Sequence, residues 1–247
     1  MIHPSAIISP NAKIGNNVTI GAFCIIHDFV EIGDNSTIDN YCELGIPTPL
    51  ANSDALIIGD NSRIRSHSCL YTGSNIGHNF VSGHYVTIRE NSSIGTNVQL
   101  GSRGDIQGDC EIGNFTKMHA DVHIGKASKV GQYVWMFPEV LLTNDPTPPS
   151  ETLEGVVIED FVVLASKVLI LPGVIVGKDS VVAAGSVVKN NIDTGLVFSG
   201  NPAKKLCKSN ILRLKGNIKQ KAYPWRYRFH RGYTDSDVKA WLSEIDS

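Results

Sequence analysis

An aliphatic residue stands at every sixth position along most of this chain. One register runs Ile2, Ile8, Ile14, Ile20, Ile26, Ile32, Ile38, Leu44. A second runs Ile58, Ile64, Leu70, Ile76, then Ile88, Ile94, Leu100, Ile106, Ile112, Met118, Ile124, Val130, Met136. A third runs Ile158, Leu164, Ile170, Val176, Val182, Val188. Of 28 such positions, 27 carry Ile, Leu, Val or Met, and the exception is Ser82. Neither a helix of period 3.6 nor an alternating strand predicts this spacing. A fixed short repeat predicts a solenoid, and a period of six predicts a parallel β-helix with one hexad per face.

Each hexad reads aliphatic, often Gly, polar, often Asn or Asp, small, then variable, as in Ile32-Gly33-Asp34-Asn35-Ser36-Thr37. The aliphatic and the small residue point inward, while Gly and Asn suit the corner backbone. Three hexads make a coil, so residues 18 apart stack at about one strand spacing, ~4.8 Å. Twenty-seven filled sites predict about nine coils. Asn17, Asn35, Asn61, Asn79 and Asn97 then form one corner column, and Cys24 stacks on Cys42 as a core thiol pair.

Two proline-bearing stretches, near 46–56 and 143–155, cannot continue sheet pairing and are expected as ejected loops. Such loops on a rigid scaffold are often functional. The repeat defines a domain over 1–203. Residues 204–247 form a basic, aromatic-rich extension, with ten Lys or Arg and no Asp or Glu between Lys204 and Arg231. Thr234 with Asp237 predicts a capped terminal helix whose apolar face is Val238, Trp241, Leu242 and Ile245. The extension is expected to cap the open end of the solenoid and pack on a neighbouring subunit, or to offer its cations to ligand phosphates.

Charge narrows the function. Only 19% of residues are charged and the net charge is −2, so the chain as a whole carries no nucleic-acid footprint. Five scattered cysteines, none in a C-x-x-C pair, argue against a disulfide scaffold or structural zinc. Neither a leader nor a membrane span is expected, which makes a cytoplasmic protein the default.

Among eight histidines, column arithmetic favours His123, which lies 18 residues above Asp105. A carboxylate one coil below an imidazole can orient it and stabilise its charged form. His84 belongs to the hexad led by Ser82, the only one without an aliphatic lead, and a broken rule is where function is expected. His119 shares His123's coil and is a candidate substrate contact. Arg103 and Asp121, also 18 apart, read as a stacked ion pair.

Three stretches carry a family resemblance: Leu171-Pro172-Gly173-Val174-Ile175-Val176-Gly177, Ala183-Ala184-Gly185-Ser186-Val187-Val188 and Ser199-Gly200-Asn201-Pro202-Ala203-Lys204. With the hexads and the proline-rich loop, they resemble the left-handed β-helix acyltransferases over residues 1 to about 206. The resemblance implies an all-β, left-handed parallel β-helix with a short C-terminal helical extension, assembled as a homotrimer. It implies acetyl-CoA as co-substrate, lying between solenoids near Ala165, Lys167, Ala183, Gly185 and the Asn201-Pro202 turn, and no metal. By size and by the Thr143-Asn144-Asp145-Pro146 loop, the chain is most similar to N-acetyltransferases acting on nucleotide-linked amino deoxysugars, serving surface-polysaccharide or glycan precursors. Asn144 and Asp145 are then candidate substrate contacts. The alternatives are O-acylation or a longer acyl chain on a sugar or small-molecule acceptor, a zinc carbonic anhydrase on the same solenoid, and a purely structural trimer.

Overall fold

A computed structural model describes residues 1–246. The chain winds as a parallel β-solenoid with three faces. The first face has ten strands, from Ile7–Ile8 to Val187–Val188. The second has nine, from Lys13–Ile14 to Ile175–Val176. The third has eleven, from Thr19–Ile20 to Ala203–Lys208. This exceeds the nine coils expected. Leu142 pairs with Ile124 and Ile170, and Phe198 with Val182, so strands beside the loop and near the C-terminal end complete further turns.

Strand register is 18 residues through the uninterrupted stretches, for example Asp105↔His123 and Ile106↔Ile124. The aliphatic leads and the fifth hexad residues are the interior: Ile26, Leu44, Leu70, Ile88 and Ile124 are buried, as are Cys24, Val86, Ser92 and Val122. Cys24 and Cys42 are buried free thiols, their Sγ–H groups donating to the carbonyls of Asp39 and Arg65.

The glycines and the corner residues divide their labour differently from expectation. The left-handed corner conformation falls at the fourth hexad position and is carried by Asn17, Asn35 and Asn61, but also by Phe23, Tyr41, His67 and Arg103. Glycine at the second position instead permits close stacking. A Cβ on Gly15 would lie 2.8 Å from the Asp34 nitrogen, and one on Gly101 2.3 Å from the His119 carbonyl carbon.

Ser82 has a structural explanation. Its Oγ accepts the Arg65 N–H at 2.9 Å. The equivalent N–H groups in neighbouring coils donate to a backbone carbonyl instead, as Gly83 does to Leu100. Two residues earlier, Phe80 fills the interior as the largest fully buried side chain.

Both long excursions leave from the end of the first face, over residues 47–55 and 143–156. Asn91 pins the first: its Nδ2 donates to the Leu50 carbonyl and its Oδ1 accepts the Asn52 N–H. Asp145 staples the second, its carboxylate accepting from Thr147 N–H, Ser150 N–H and Ser150 Oγ–H.

The third face does not stop at residue 203. Leu196–Gly200 and Ala203–Lys208 form an antiparallel hairpin on its edge, turning at Asn201-Pro202. A second hairpin follows (Arg213–Leu214 with Asn217–Lys221), then a 3-10 turn at Trp225–Tyr227 and helix α1 at Asp235–Asp246. Thr234 caps α1 by accepting the Asp237 N–H. The extension packs on the flank of its own solenoid, where a cap over the open end was expected. The asparagine column gives way above Asn97 to Phe115, Tyr133 and Phe161, stacked at 5.1 and 5.0 Å. Trp241 meets Tyr133 edge-on at 4.8 Å. Buried Arg226 lies over the Phe161 ring and pairs with Asp179 and Glu244.

Candidate functional site

Two polar surfaces stand out, on different faces of the solenoid. The first face carries the pair read from the column arithmetic. His123 Nδ1 lies 2.9 Å from Asp105 Oδ2. The same oxygen accepts Gln107 Nε2–H at 2.6 Å. Asp105 Oδ1 is buried and has no hydrogen-bond partner. Burial pushes the Asp105 carboxyl up. The hydrogen bonds from His123 and Gln107 and the charges of His123 and Arg89 outweigh it, holding the group below its ordinary value. Arg89 is itself tied to buried Glu90. The carboxylate therefore stays ionised at neutral pH and fixes one nitrogen of His123. Nε2 remains the nitrogen with which the ring can exchange a proton.

The second loop departs one coil above this pair. Leu141, which follows His123 in register, is two residues from Thr143. Asn144 accepts the Glu154 N–H through its carbonyl, which holds the two ends of the loop together. Asp145 spends both carboxylate oxygens on the loop itself, so here it shapes the loop. Lys126 pairs with Asp109 at the same corner.

The third face carries a groove of about 520 Å³, floored by glycines and edged by Arg65, His84, Lys117, His119 and Trp135. The structure thus brings His84 and His119 together, and places both on a different face from His123. His84 Nδ1 lies 2.8 Å from Ser66 Oγ. His119 stacks on Phe137 at 4.9 Å. Among the described residues, no carboxylate lines this groove.

The residues implied for the acyl donor lie further along. Ala165 and Ala183 follow the third-face strands Val163–Leu164 and Val181–Val182, at the hexad position that His119 and Phe137 hold in earlier coils. Gly185 has open space where a Cβ would stand. Lys167 is engaged with Glu139 at 3.4 Å. Arg103 and Asp121 form the expected ladder pair, with two hydrogen bonds of 2.6 Å each. No group of three or more His, Cys, Asp or Glu that could hold a metal occurs among the described residues.

Sequence reasoning missed Arg65, Arg89, Gln107 and Lys117. A signal was present for three of them. The second hexad position is commonly glycine, and Arg65, Arg89, Gln107 and His119 are departures from it. A side chain there reaches outward at a corner, where a neighbour of the coil gains polar reach without disturbing the core.

Comparison with known proteins agrees with the fold. Two family models match: the bacterial transferase hexapeptide (six repeats) over residues 11–45, and the hexapeptide repeat of succinyl-transferase over 155–190. An acyl-(acyl-carrier-protein)–UDP-N-acetylglucosamine O-acyltransferase of Campylobacter concisus is 30% identical over 60% of this chain and 61% of its own length. The chain thus spans less than two thirds of that relative. A 2,3,4,5-tetrahydropyridine-2,6-dicarboxylate N-acetyltransferase of Clostridium perfringens is 51% identical over 57 residues, 23% of each chain. The solved structure of LpxA from Acinetobacter baumannii superposes with a TM-score of 0.54 at 22% identity, covering 98% of this chain and 89% of that one. The repeat is matched in both halves and the solenoid is continuous between them, so the chain is similar to the hexapeptide-repeat proteins in repeat and in fold.

Proposed function

We propose that this chain transfers an acyl group from a thioester donor to a nucleotide-linked sugar, with His123 accepting the proton of the attacking group. The observation that carries the reading is the His123–Asp105 contact at 2.9 Å, an imidazole oriented by a carboxylate held ionised. In the reaction the acceptor atom attacks the thioester carbonyl and loses its proton to His123 Nε2. The tetrahedral intermediate then expels the thiolate, which takes the proton back. Asp105 stabilises the transient imidazolium, as in other carboxylate–histidine pairs.

The acceptor atom is the open choice between two readings. A hydroxyl requires a base, whereas an unprotonated amine attacks without one. The oriented imidazole therefore favours O-acylation, and the O-acyltransferase names of relatives at 30–34% identity point the same way. N-acetylation of an amino deoxysugar, the expectation from sequence, is the second reading. The N-acetyltransferase relative, 51% identical over its short match, supports a nitrogen acceptor, though the acceptor in its name is not a sugar. In either case the cleft is completed by a second copy in a homotrimer, and acetyl-CoA or another acyl thioester is the donor.

The test is a matrix of acetyl-CoA, longer acyl-CoA and acyl-carrier-protein donors against nucleotide-linked sugars with and without an amine. Thiol release and acceptor mass are read together. Acylation confined to amine-bearing acceptors selects the second reading. Acylation of hydroxyl-only acceptors, abolished in His123→Ala, selects the first.

A further inference from the structure

Beside the third-face groove lies a cavity of about 260 Å³ between the solenoid and its extension, lined by Trp135, Phe137, Tyr223, Trp225 and Phe229, with Arg228 at its edge. Trp135 lines both the cavity and the groove, so the two are adjacent. Among the described residues, their combined lining holds Arg65, Lys117 and Arg228 and not one carboxylate. In a chain with 24 acidic residues, such a stretch of surface is set apart electrostatically.

Lys117 sits at the junction. Its ammonium is 5.0 Å from the Trp135 and Tyr233 ring centroids, and among the described residues it has no carboxylate partner. Burial, followed by the charge of Arg231, pushes the lysine below its ordinary value. For a half-buried cation, two ring faces offset only part of the desolvation, and the nearby cation adds to the cost. An anion in the groove supplies the missing partner. Planar, π-rich walls next to that cation suit an aromatic heterocycle, which stacks without needing a specific hydrogen-bond pattern.

We propose that this junction binds a nucleoside phosphate, with the base among Trp135, Trp225 and Phe229 and the phosphate against Lys117. The proposal rests on the acyl-transfer reading only for the ligand's source. That source is either the nucleotide of the acceptor or the adenosine phosphate portion of a CoA donor.

The test is equilibrium binding to the full-length protein, read by quenching of tryptophan emission and by calorimetry. The probes are UDP, dTDP, adenosine 3′,5′-diphosphate and inorganic pyrophosphate. At least one nucleotide is expected to bind roughly tenfold or more tightly than pyrophosphate, since base stacking adds to the ionic contact. Preference for UDP or dTDP assigns the junction to the acceptor, and preference for adenosine 3′,5′-diphosphate assigns it to the donor. Lys117→Met should weaken nucleotide and pyrophosphate together by roughly tenfold or more, the scale of a charge-assisted contact. Phe229→Ala should weaken the nucleotide alone. Equal affinity for pyrophosphate and every nucleotide, or unchanged nucleotide binding in Lys117→Met, overturns the proposal. Failure here is separable from failure of the acyl-transfer reading. Acyl transfer with wild-type KM values in both variants removes the nucleotide site and leaves the chemistry. Nucleotide binding with these dependences but no thiol release from any donor removes the chemistry and leaves the site.

Discussion

Replacing Asp105 with Asn probes the dyad most cleanly, because it changes charge with almost no change in shape. Asp105 Oδ2 accepts from both His123 and Gln107, while Oδ1 is buried without a partner. If the amide oxygen keeps the double-acceptor position, the NH₂ enters a buried site with no acceptor, at a cost of about 1–3 kcal/mol of stability. If the amide flips, NH₂ confronts two donors and His123 loses its orientation. The electrostatic loss can be sized. Two unit charges ~4 Å apart at an effective dielectric of 20 interact by about 4 kcal/mol. The side chains of His123 and Asp105 are 38% and 30% exposed, so solvent screening roughly halves this. A loss of about 2 kcal/mol in the transition state is ~30-fold in kcat/KM, with kcat carrying most of it. The assay is steady-state thiol release on folded protein, verified by circular dichroism. The double variant Asp105→Asn/His123→Ala should be no slower than His123→Ala alone, because the carboxylate acts only through the imidazole. Full activity in Asp105→Asn, or additive losses in the double variant, would refute the reasoning.

Other consequences follow from the same contacts. Asp105 titrates below its unfolded value, so its contribution to stability is present above about pH 4 and fades as pH falls through the folded value. The stability difference between wild type and Asp105→Asn, measured by denaturant titration, should therefore shrink as pH falls below about pH 4. Phe80→Ala should cost about 3–5 kcal/mol in urea unfolding, since it empties the largest fully buried side chain in the coil. Trp241→Ala should detach α1 from Tyr133 and Phe161, seen as faster limited proteolysis after residue 208 with the solenoid left intact. Arg103→Ala should leave the melting temperature unchanged within error, because the Arg103–Asp121 ladder pair is solvent-exposed.

The six-residue period made the solenoid interior legible, and with it the contacts that depend only on stacking. His123 over Asp105, Arg103 over Asp121 and the Asn17 to Asn97 column are all consequences of register. Register also explains what was hidden. The strands at Leu141–Leu142 and Leu196–Gly200 adjoin non-repeating segments, so counting hexads stopped short of them. The extension obeys no period, and its partners are set by shape. Nothing in the spacing of Trp225 and Trp241 says that they pack on Tyr133 and Phe161, although the replacement of Asn97 by Phe115 one coil on is visible in the column. The exception at Ser82 invited a functional reading of its hexad. The fold accounts for the serine itself through Phe80 and the Arg65 N–H, while His84 enters the groove on its own geometry.

The central claim is acyl transfer to a nucleotide-linked sugar with His123 as base, and one measurement bears on it most directly. Purified protein is incubated with an acyl thioester and a panel of nucleotide-linked sugars, and the acceptors are analysed by mass spectrometry alongside the His123→Ala variant. The account predicts one acyl group added to at least one nucleotide sugar, equimolar free thiol, and a severe loss in the variant. Unmodified acceptors with every donor, or full acylation by His123→Ala, would contradict it.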